Sequence, residues 1–313
     1  MSSVDFYIKA ATRDNTRRSY RSAIEHYESQ WGGFLPATAD SVVRYLADYA
    51  QLLSINTLRH RLAAIGQWHI DQGFPDPTKS PLVKKVIKGI QTTHPYKINQ
   101  AKPLALEHLE QINHWLENQM TLATANNDQT LLLKSSRDRA LILLGFWRGF
   151  RSDELSRLEV QHMTLIPNEG MSLYLAKTKT HPKGVTYKVP ALTRLCPVAA
   201  CQQWINLANL SSGAAFRSIN RWGQLGHQGM HPVSFIPLLR TMFELAGIEN
   251  ANSYSSHSLR RGFASWANSS GWDLKSMMEY IGWKDVRSAM RYIQTEDYFG
   301  QHRINATLAL NQK

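Results

Sequence analysis

The sequence predicts a mainly α-helical protein of two parts, the second carrying a small antiparallel β-sheet. Three observations predict it. Apolar residues recur at three- and four-residue spacing along most of the 313 positions, which is the period of a helix with one buried stripe. Three short runs between Met163 and Val189 have strand-like composition instead. Between Gln91 and Pro103 the segment QTTHPYKINQAKP, with its two prolines, loses the apolar period and reads as a linker.

The N-terminal part, residues 1–91, reads as a small helical bundle. Residues 14–31 open with capping residues and place Tyr20, Ile24, Tyr27 and Trp31 on one stripe. A Gly-Gly pair and a Pro follow. A second helix starts at Thr38 with Val42, Tyr45, Leu46 and Tyr49 as its apolar face. A third opens at Ser54 and Asn56 and turns Leu58, Leu62, Ile65 and Trp68 inward, with Arg59, His60 and Arg61 opposite. Ser80-Pro81 is an N-cap and first-turn pair for a fourth helix through about Ile90.

Residues 92–103 form the linker, and 104–313 the second part. There the helical pattern runs from near Leu106 to Trp147 with one break around 124–129. Strand-like runs follow at Met163–Ile166, Ser172–Leu175 and Thr186–Val189, the last two flanking the turn THPKG. From Pro197 helix dominates again, interrupted by the Gly-rich loop Gly223–Gly229.

Lys and Arg total 36 against 24 Asp and Glu, for a net charge of +12, the footprint expected of a protein that neutralises phosphates. The first hundred residues carry 13 basic against 8 acidic positions, so both parts can touch a polyanion. No run approaches the roughly 20 apolar residues of a membrane span, and the N-terminus lacks the order of a secretory signal; a cytoplasmic, nucleoid-associated protein is expected. Cys196 and Cys201 read as buried structural thiols. His227 and His231 sit in a Gly-rich stretch with no acidic or Cys neighbour, which reads as a loop and not a metal site. No GxxxxGK[ST] motif is present, so neither a metal nor a nucleotide cofactor is expected.

Four constellations carry candidate chemistry. In GFWRGFRSDEL, Arg151 follows a Gly-containing turn and Glu154 lies one helical step on. A carboxylate there can hold a guanidinium rigid toward a phosphate, although alone such a pair is ordinarily a surface ion pair. Lys179 lies at the edge of the hairpin and can reach a leaving oxygen as a proton donor; Lys177, Lys183 and Lys188 leave that choice open. In SHSLRRGFA, His257 and Arg260 are three apart on a helix, so both can face one phosphate. In IGWKDVRSAMRYI, Trp283 and Tyr292 follow within nine residues, where each on its own reads equally as a core aromatic.

Together Arg151, Lys179, His257, Arg260, Trp283 and Tyr292 resemble, in order and general spacing, the tyrosine recombinase (lambda integrase-like) family. The block GWKDVRSAMRYI, with Trp where the family more often has His, and the TKT around Lys179 are similar to the Cre-like branch. NTRRSY, INTLRHRLAAIGQWH and SPLVKKVIKGI resemble its core-binding domain, so the resemblance spans nearly the whole chain. It implies a core-binding helical bundle followed by an α+β catalytic domain.

The resemblance also implies roles. Tyr292 would attack a phosphodiester to give a 3′-phosphotyrosine and a free 5′-hydroxyl, and Arg151 and Arg260 would bind the non-bridging oxygens. His257 would handle protons and hydrogen-bond the phosphate, Trp283 would donate its indole N–H and exclude water, Lys179 would protonate the leaving oxygen and Glu154 would buttress Arg151. The partners implied are double-stranded DNA with a specific recombination site and three further copies, as a homotetramer around a Holliday junction. A C-terminal segment, Asp297–Lys313, would dock on a neighbouring protomer. For DNA contact, Asn56, Thr57, Arg59 and Arg61 on the outer face of the third helix are the candidates for the major groove, phosphate contact alone being an equal alternative for any one of them, with Lys84, Lys85 and Lys88 on the backbone. The competing expectations are a non-catalytic DNA-binding regulator on the same fold and a type IB topoisomerase-like enzyme.

Overall fold

A computed structural model describes residues 7, 11–94, 100–166, 169–176 and 183–290. The chain divides into two compact units, Met1–Asn99 and Gln100–Lys313.

In the first unit, α1 (Asp14–Glu25) continues into a π-helical turn, His26–Gln30. It is followed by α2 (Ala39–Asp48), α3 (Ile55–Asp71) and α4 (Pro81–Thr93). Thr38, Ser54 and Ser80 cap α2, α3 and α4 by accepting a backbone N–H in the first turn, as short hydroxyl side chains do. The core gathers Tyr27, Val42, Tyr45, Leu46, Leu58, Ile65, Val83 and Ile90. Its polar groups are paired: Trp31 Nε1 donates to Asp48 at 2.7 Å, and the Tyr27 hydroxyl bonds Ser41 at 2.8 Å. Buried His69 accepts from Ala37 N–H at Nε2, which leaves Nδ1 to donate to the Ile65 carbonyl.

The second unit is built on α5 (Leu106–Ala125) and α6 (Gln129–Arg148). Residues Ala140–Phe146 of α6 are wholly buried, so α6 is the axis of the core. A short α7 (Ser152–Ser156) follows at once. Then β1 (Met163–Ile166), β2 (Gly170–Leu175) and β3 (Val185–Pro190) form an antiparallel sheet in that order, Leu173 lying opposite both Met163 and Tyr187. Next come α8 (Pro197–Leu207), a second antiparallel pair β4 (Arg217–Ile219) and β5 (Leu225–Gly229), and α9 (Phe235–Leu245). The described chain closes with α10 (Ser256–Ser269), α11 (Leu274–Ile281) and α12 (Val286–Met290).

The mainly α fold with a small antiparallel sheet matches the sequence expectation, with three differences. The Gly-rich stretch expected as a loop is the β4–β5 hairpin; His227 lies on β5 and His231 caps the turn that follows. Strands of three and five residues have too few positions to show a period of two, and flanking backbone bonds such as Met230 N–H to the Phe216 carbonyl hold them. The two thiols differ as well. Cys201 is fully buried, which pushes its pKa up to about 12, whereas Cys196 is only half-buried and accepts the Ala199 N–H at the cap of α8. Arg61 does not lie on the outer face of α3: it is half-buried and donates from Nη1 to the Tyr45 hydroxyl at 2.9 Å.

Among the described residues no helix is long and apolar enough to cross a membrane, and no group of three or more His, Cys, Asp or Glu could hold a metal ion.

Gly262 decides how α10 docks. Leu104 N–H donates to the Ser258 carbonyl at 3.0 Å, and a Cβ on Gly262 would collide with the Leu104 carbonyl oxygen and the Phe146 ring. Gly262→Ala is therefore expected to lower stability by about 1–3 kcal/mol, the usual cost of overpacking, read as a lower urea midpoint at unchanged slope.

Candidate active site

Helix α6 ends at Arg148, and Gly149 closes it at φ +62°. That left-handed conformation costs a residue with a Cβ about 1–2 kcal/mol. Phe150 turns back into the core, its ring edge-on to Tyr187 of β3 with centroids 5.1 Å apart. The chain is extended at Arg151 (φ −81°, ψ 155°) before it enters α7.

Glu154 holds Arg151 from two sides. One carboxylate oxygen accepts the Arg151 backbone N–H at 2.9 Å and the other accepts Nη1 at 2.8 Å. The Glu154 side chain is 3% exposed and that of Arg151 is 25% exposed, so the carboxylate sits beneath and the guanidinium reaches the surface. A charge-assisted pair with the carboxylate oxygens so placed fixes the fork in direction as well as in position.

Arg260 approaches the same turn from α10. It is 1% exposed, donates from Nη1 to the Gly149 carbonyl at 2.7 Å and from Nη2 to the Ile281 carbonyl at 3.3 Å. Gly149 follows α6 and Ile281 ends α11, so one guanidinium spans two helix ends whose last carbonyls lack partners within their own helices. Its Cζ lies 5.2 Å from the ring centroid of Trp283, which follows the left-handed cap Gly282. His257 lies in the first turn of α10, exposed, one step before Arg260, and its N–H is held by Ser255.

The second unit thus brings Arg151, Glu154, Arg260 and Trp283 to the junction of α6, α10 and α11, with His257 one turn from Arg260. Lys179 and Tyr292 lie outside the described residues, as does the segment Asp297–Lys313. Lys183 and Lys188 are described and exposed, Lys188 on β3. In the first unit, Asn56, Arg59, Lys84, Lys85 and Lys88 are exposed. Thr57 is half-buried beside Ser54, and Arg59 donates to Gln91 at 2.7 Å.

Two supporting features escape the sequence pattern. The carbonyls of Gly149 and Ile281 carry no side-chain signature, and Tyr187 reads only as one residue of a strand. The ring of Tyr187 lies against Arg148, with Glu154, Arg260 and Arg151 close enough to act on it electrostatically; burial raises its pKa, so it stays a neutral phenol. The arrangement presents a surface guanidinium held by a buried carboxylate and a buried guanidinium under an indole, groups that complement a phosphate acquiring negative charge.

Known proteins resemble this chain in sequence and in fold. The profile described as the Phage integrase family matches residues 117–298. The chain is 26% identical over 310 residues to an integrase/recombinase xerD homolog of Selenomonas ruminantium, covering 95% of this chain and 86% of that protein. It is 23% identical over 282 residues to the recombinase cre of Escherichia phage P1, covering 84% and 78%. Among solved structures, the Tn1549 transposon integrase in complex with transposon right end DNA shares the fold at a TM-score of 0.64, with 13% identity and 98% of each chain covered. The XerH site-specific recombinase in a post-cleavage complex does so at 0.61, with 16% identity, 96% of this chain and 80% of that one.

Proposed function

Because the chain belongs to the phage integrase family, it is a DNA strand-breaking and rejoining recombinase, and we propose that it works through a 3′-phosphotyrosine on Tyr292. The observation that carries the proposal is the junction where Glu154 grips Arg151 and two helix-end carbonyls orient Arg260 beneath Trp283.

A phenol with a pKa near 10 is a weak nucleophile at neutral pH. It gains reactivity when the phosphate under attack is bound by donors that strengthen as charge develops on its oxygens. Arg151 and Arg260 supply those donors, Trp283 covers them against water and His257 assists proton handling at Tyr292. Lys179 protonates the departing 5′-oxygen. The ester conserves the energy of the broken bond, so a 5′-hydroxyl from a partner duplex can reseal it and no nucleotide cofactor is consumed.

The xerD, cre, transposon integrase and XerH names support double-stranded DNA with a specific recombination site as the substrate, in the service of integration, excision or resolution of an element or replicon. Exposed Asn56, Arg59, Lys84, Lys85 and Lys88 supply groove and phosphate contacts from the first unit, with Thr57 beside them. Exchange between two duplexes requires four active sites, hence a homotetramer around a Holliday junction, working in the cytoplasm on the nucleoid. The units act as a core-binding domain (1–91) and a catalytic domain (104–313) joined by a linker.

The test is a denaturing gel of protein incubated with labelled duplex from the region flanking the gene. A covalent adduct supports the proposal. DNA binding without an adduct, even on nicked substrates that trap one, would instead identify a non-catalytic regulator. Relaxation of supercoils without site preference would identify a type IB topoisomerase-like enzyme. A chain shortened before Asp297 is expected to bind DNA and form the adduct but to lose synapsis of two sites; an unchanged recombination rate would overturn docking of this segment on a neighbouring protomer.

A further inference from the structure

Arg148, the last residue of α6, is 6% exposed, and its guanidinium carbon lies 4.6 Å from the Tyr187 ring centroid and 4.3 Å from that of Tyr280. Its Nε and Nη1 are buried without a hydrogen-bond partner. Other buried arginines of this unit are held differently. Arg137 donates to Asp138 and to the Arg217 carbonyl, and Arg260 donates to the carbonyls of Gly149 and Ile281. Burying a cation is costly, and an unbranched apolar Met would fill much of the space without that cost. Two aromatic faces offset part of it. Burial still lowers the pKa of this guanidinium, against the opposing influence of Tyr280, Tyr187 and Glu154.

The cation lies next to the groups that hold Arg260. Gly149, whose carbonyl accepts Arg260 Nη1, directly follows Arg148. Ile281, whose carbonyl accepts Arg260 Nη2, directly follows Tyr280. The stack therefore sits one residue from both carbonyls that orient Arg260. Tyr280 also stacks on Phe263, one turn beyond Arg260 on α10, with centroids 5.1 Å apart, and Tyr187 meets Phe150 beside Arg151. One side chain ties together the end of α6, the end of α11 and β3.

We propose that Arg148 is a positioning residue for strand cleavage: clamped between Tyr187 and Tyr280, it sets the separation of the two helix ends whose carbonyls aim Arg260 at the scissile phosphate. It acts through Arg260 and not on the phosphate. The proposal rests on the recombinase reading above, and it makes a polar, buried, ring-stacked arginine part of the catalytic geometry instead of the core.

The test uses the full chain and a nicked duplex that traps the adduct, under single-turnover conditions. Arg148→Met is expected to slow adduct formation about 100-fold, the scale on which a misplacement near 1 Å acts. DNA affinity should stay within about threefold and melting should stay cooperative, because the change acts on the reacting geometry and not on binding. Arg148→Lys keeps the charge but loses the planar face that stacks, and should recover part of the rate, to within about tenfold of wild type. In an Arg260→Lys background, adding Arg148→Met should change the rate less than about threefold, since residues acting as one unit are not additive. Three results would overturn the proposal: losses that multiply in that background, a rate that Arg148→Met leaves unchanged, or affinity falling in step with rate. Loss of cooperative melting in both Arg148 variants would also overturn it, by making Arg148 a residue of the fold alone. A wild-type protein that forms no adduct would instead sink the recombinase reading, and this proposal with it.

Discussion

Tyr292→Phe is expected to abolish the covalent protein–DNA adduct while DNA binding stays within about threefold of wild type, because the change removes one oxygen and nothing that contacts the groove. The loss should exceed about 10⁴-fold, the scale seen when a nucleophile is deleted from a site whose other groups act only on it. Phe keeps the ring, so a failure to bind DNA would point to misfolding and not to chemistry. The guanidiniums are held in place without the phenol: Arg151 is pinned by Glu154 and Arg260 by the Gly149 and Ile281 carbonyls. On the proposed reading those groups would strengthen an attack and could not substitute for the attacking oxygen. A denaturing gel on a nicked substrate decides the matter. An adduct that survives Tyr292→Phe would move the nucleophile elsewhere, and peptide mapping would then test Tyr298, six positions on.

Much of this fold is legible in the residues because local signals and tertiary packing agree. Thr38, Ser54 and Ser80 each precede an apolar stripe and each caps the helix that follows. Val42, Tyr45 and Leu46 fall at helical spacing and are wholly buried. Arg61 shows where such reading stops. It lies three residues after Leu58 and four before Ile65, on the edge of the buried stripe, and a long side chain there can turn either way. The Tyr45 hydroxyl, contributed by another helix, turns it inward, and nothing near Arg61 in sequence announces that acceptor. The π-helical turn His26–Gln30 is hidden for a similar reason: Tyr27, Trp31, Tyr45 and Tyr49 crowd together there, with His26 bonded to the Tyr45 hydroxyl, and five residues carry no period of their own.

The candidate site divides along the same line. Arg151 and Glu154 are neighbours along the chain, so their pairing is visible as a spacing of three. Arg260 meets Gly149 across 111 positions and Ile281 across 21, through backbone oxygens that every residue has. Its burial, and the burial of Arg148 between Tyr187 and Tyr280, follow from how α10 and α11 close on the end of α6, which no local pattern encodes.

That closure makes Arg260→Lys the sharper test of the phosphate clamp. Lysine keeps the positive charge and most of the stem, so a role limited to charge would survive it. It lacks the planar fork, and one ammonium cannot bridge carbonyls on two helix ends and also present a directed donor to a phosphate. The expected result is a loss of about 10²–10³ in the single-turnover cleavage rate, the cost of removing one preorganised donor from a site of developing negative charge. DNA affinity should change less than about threefold, because long-range attraction to the duplex depends on total charge, which is conserved. Arg151→Lys, made in parallel, separates geometry from burial: its guanidinium is 25% exposed and braced by Glu154, so an ammonium can still pair with that carboxylate and reach the surface. It should therefore fall less steeply than Arg260→Lys. Equal losses for the two would mean that burial gives the Arg260 fork no greater role than that of Arg151, and little loss in either would mean that each arginine contributes charge alone. A wild-type rate for Arg260→Lys would place Arg260 in the core and leave the clamp to Arg151.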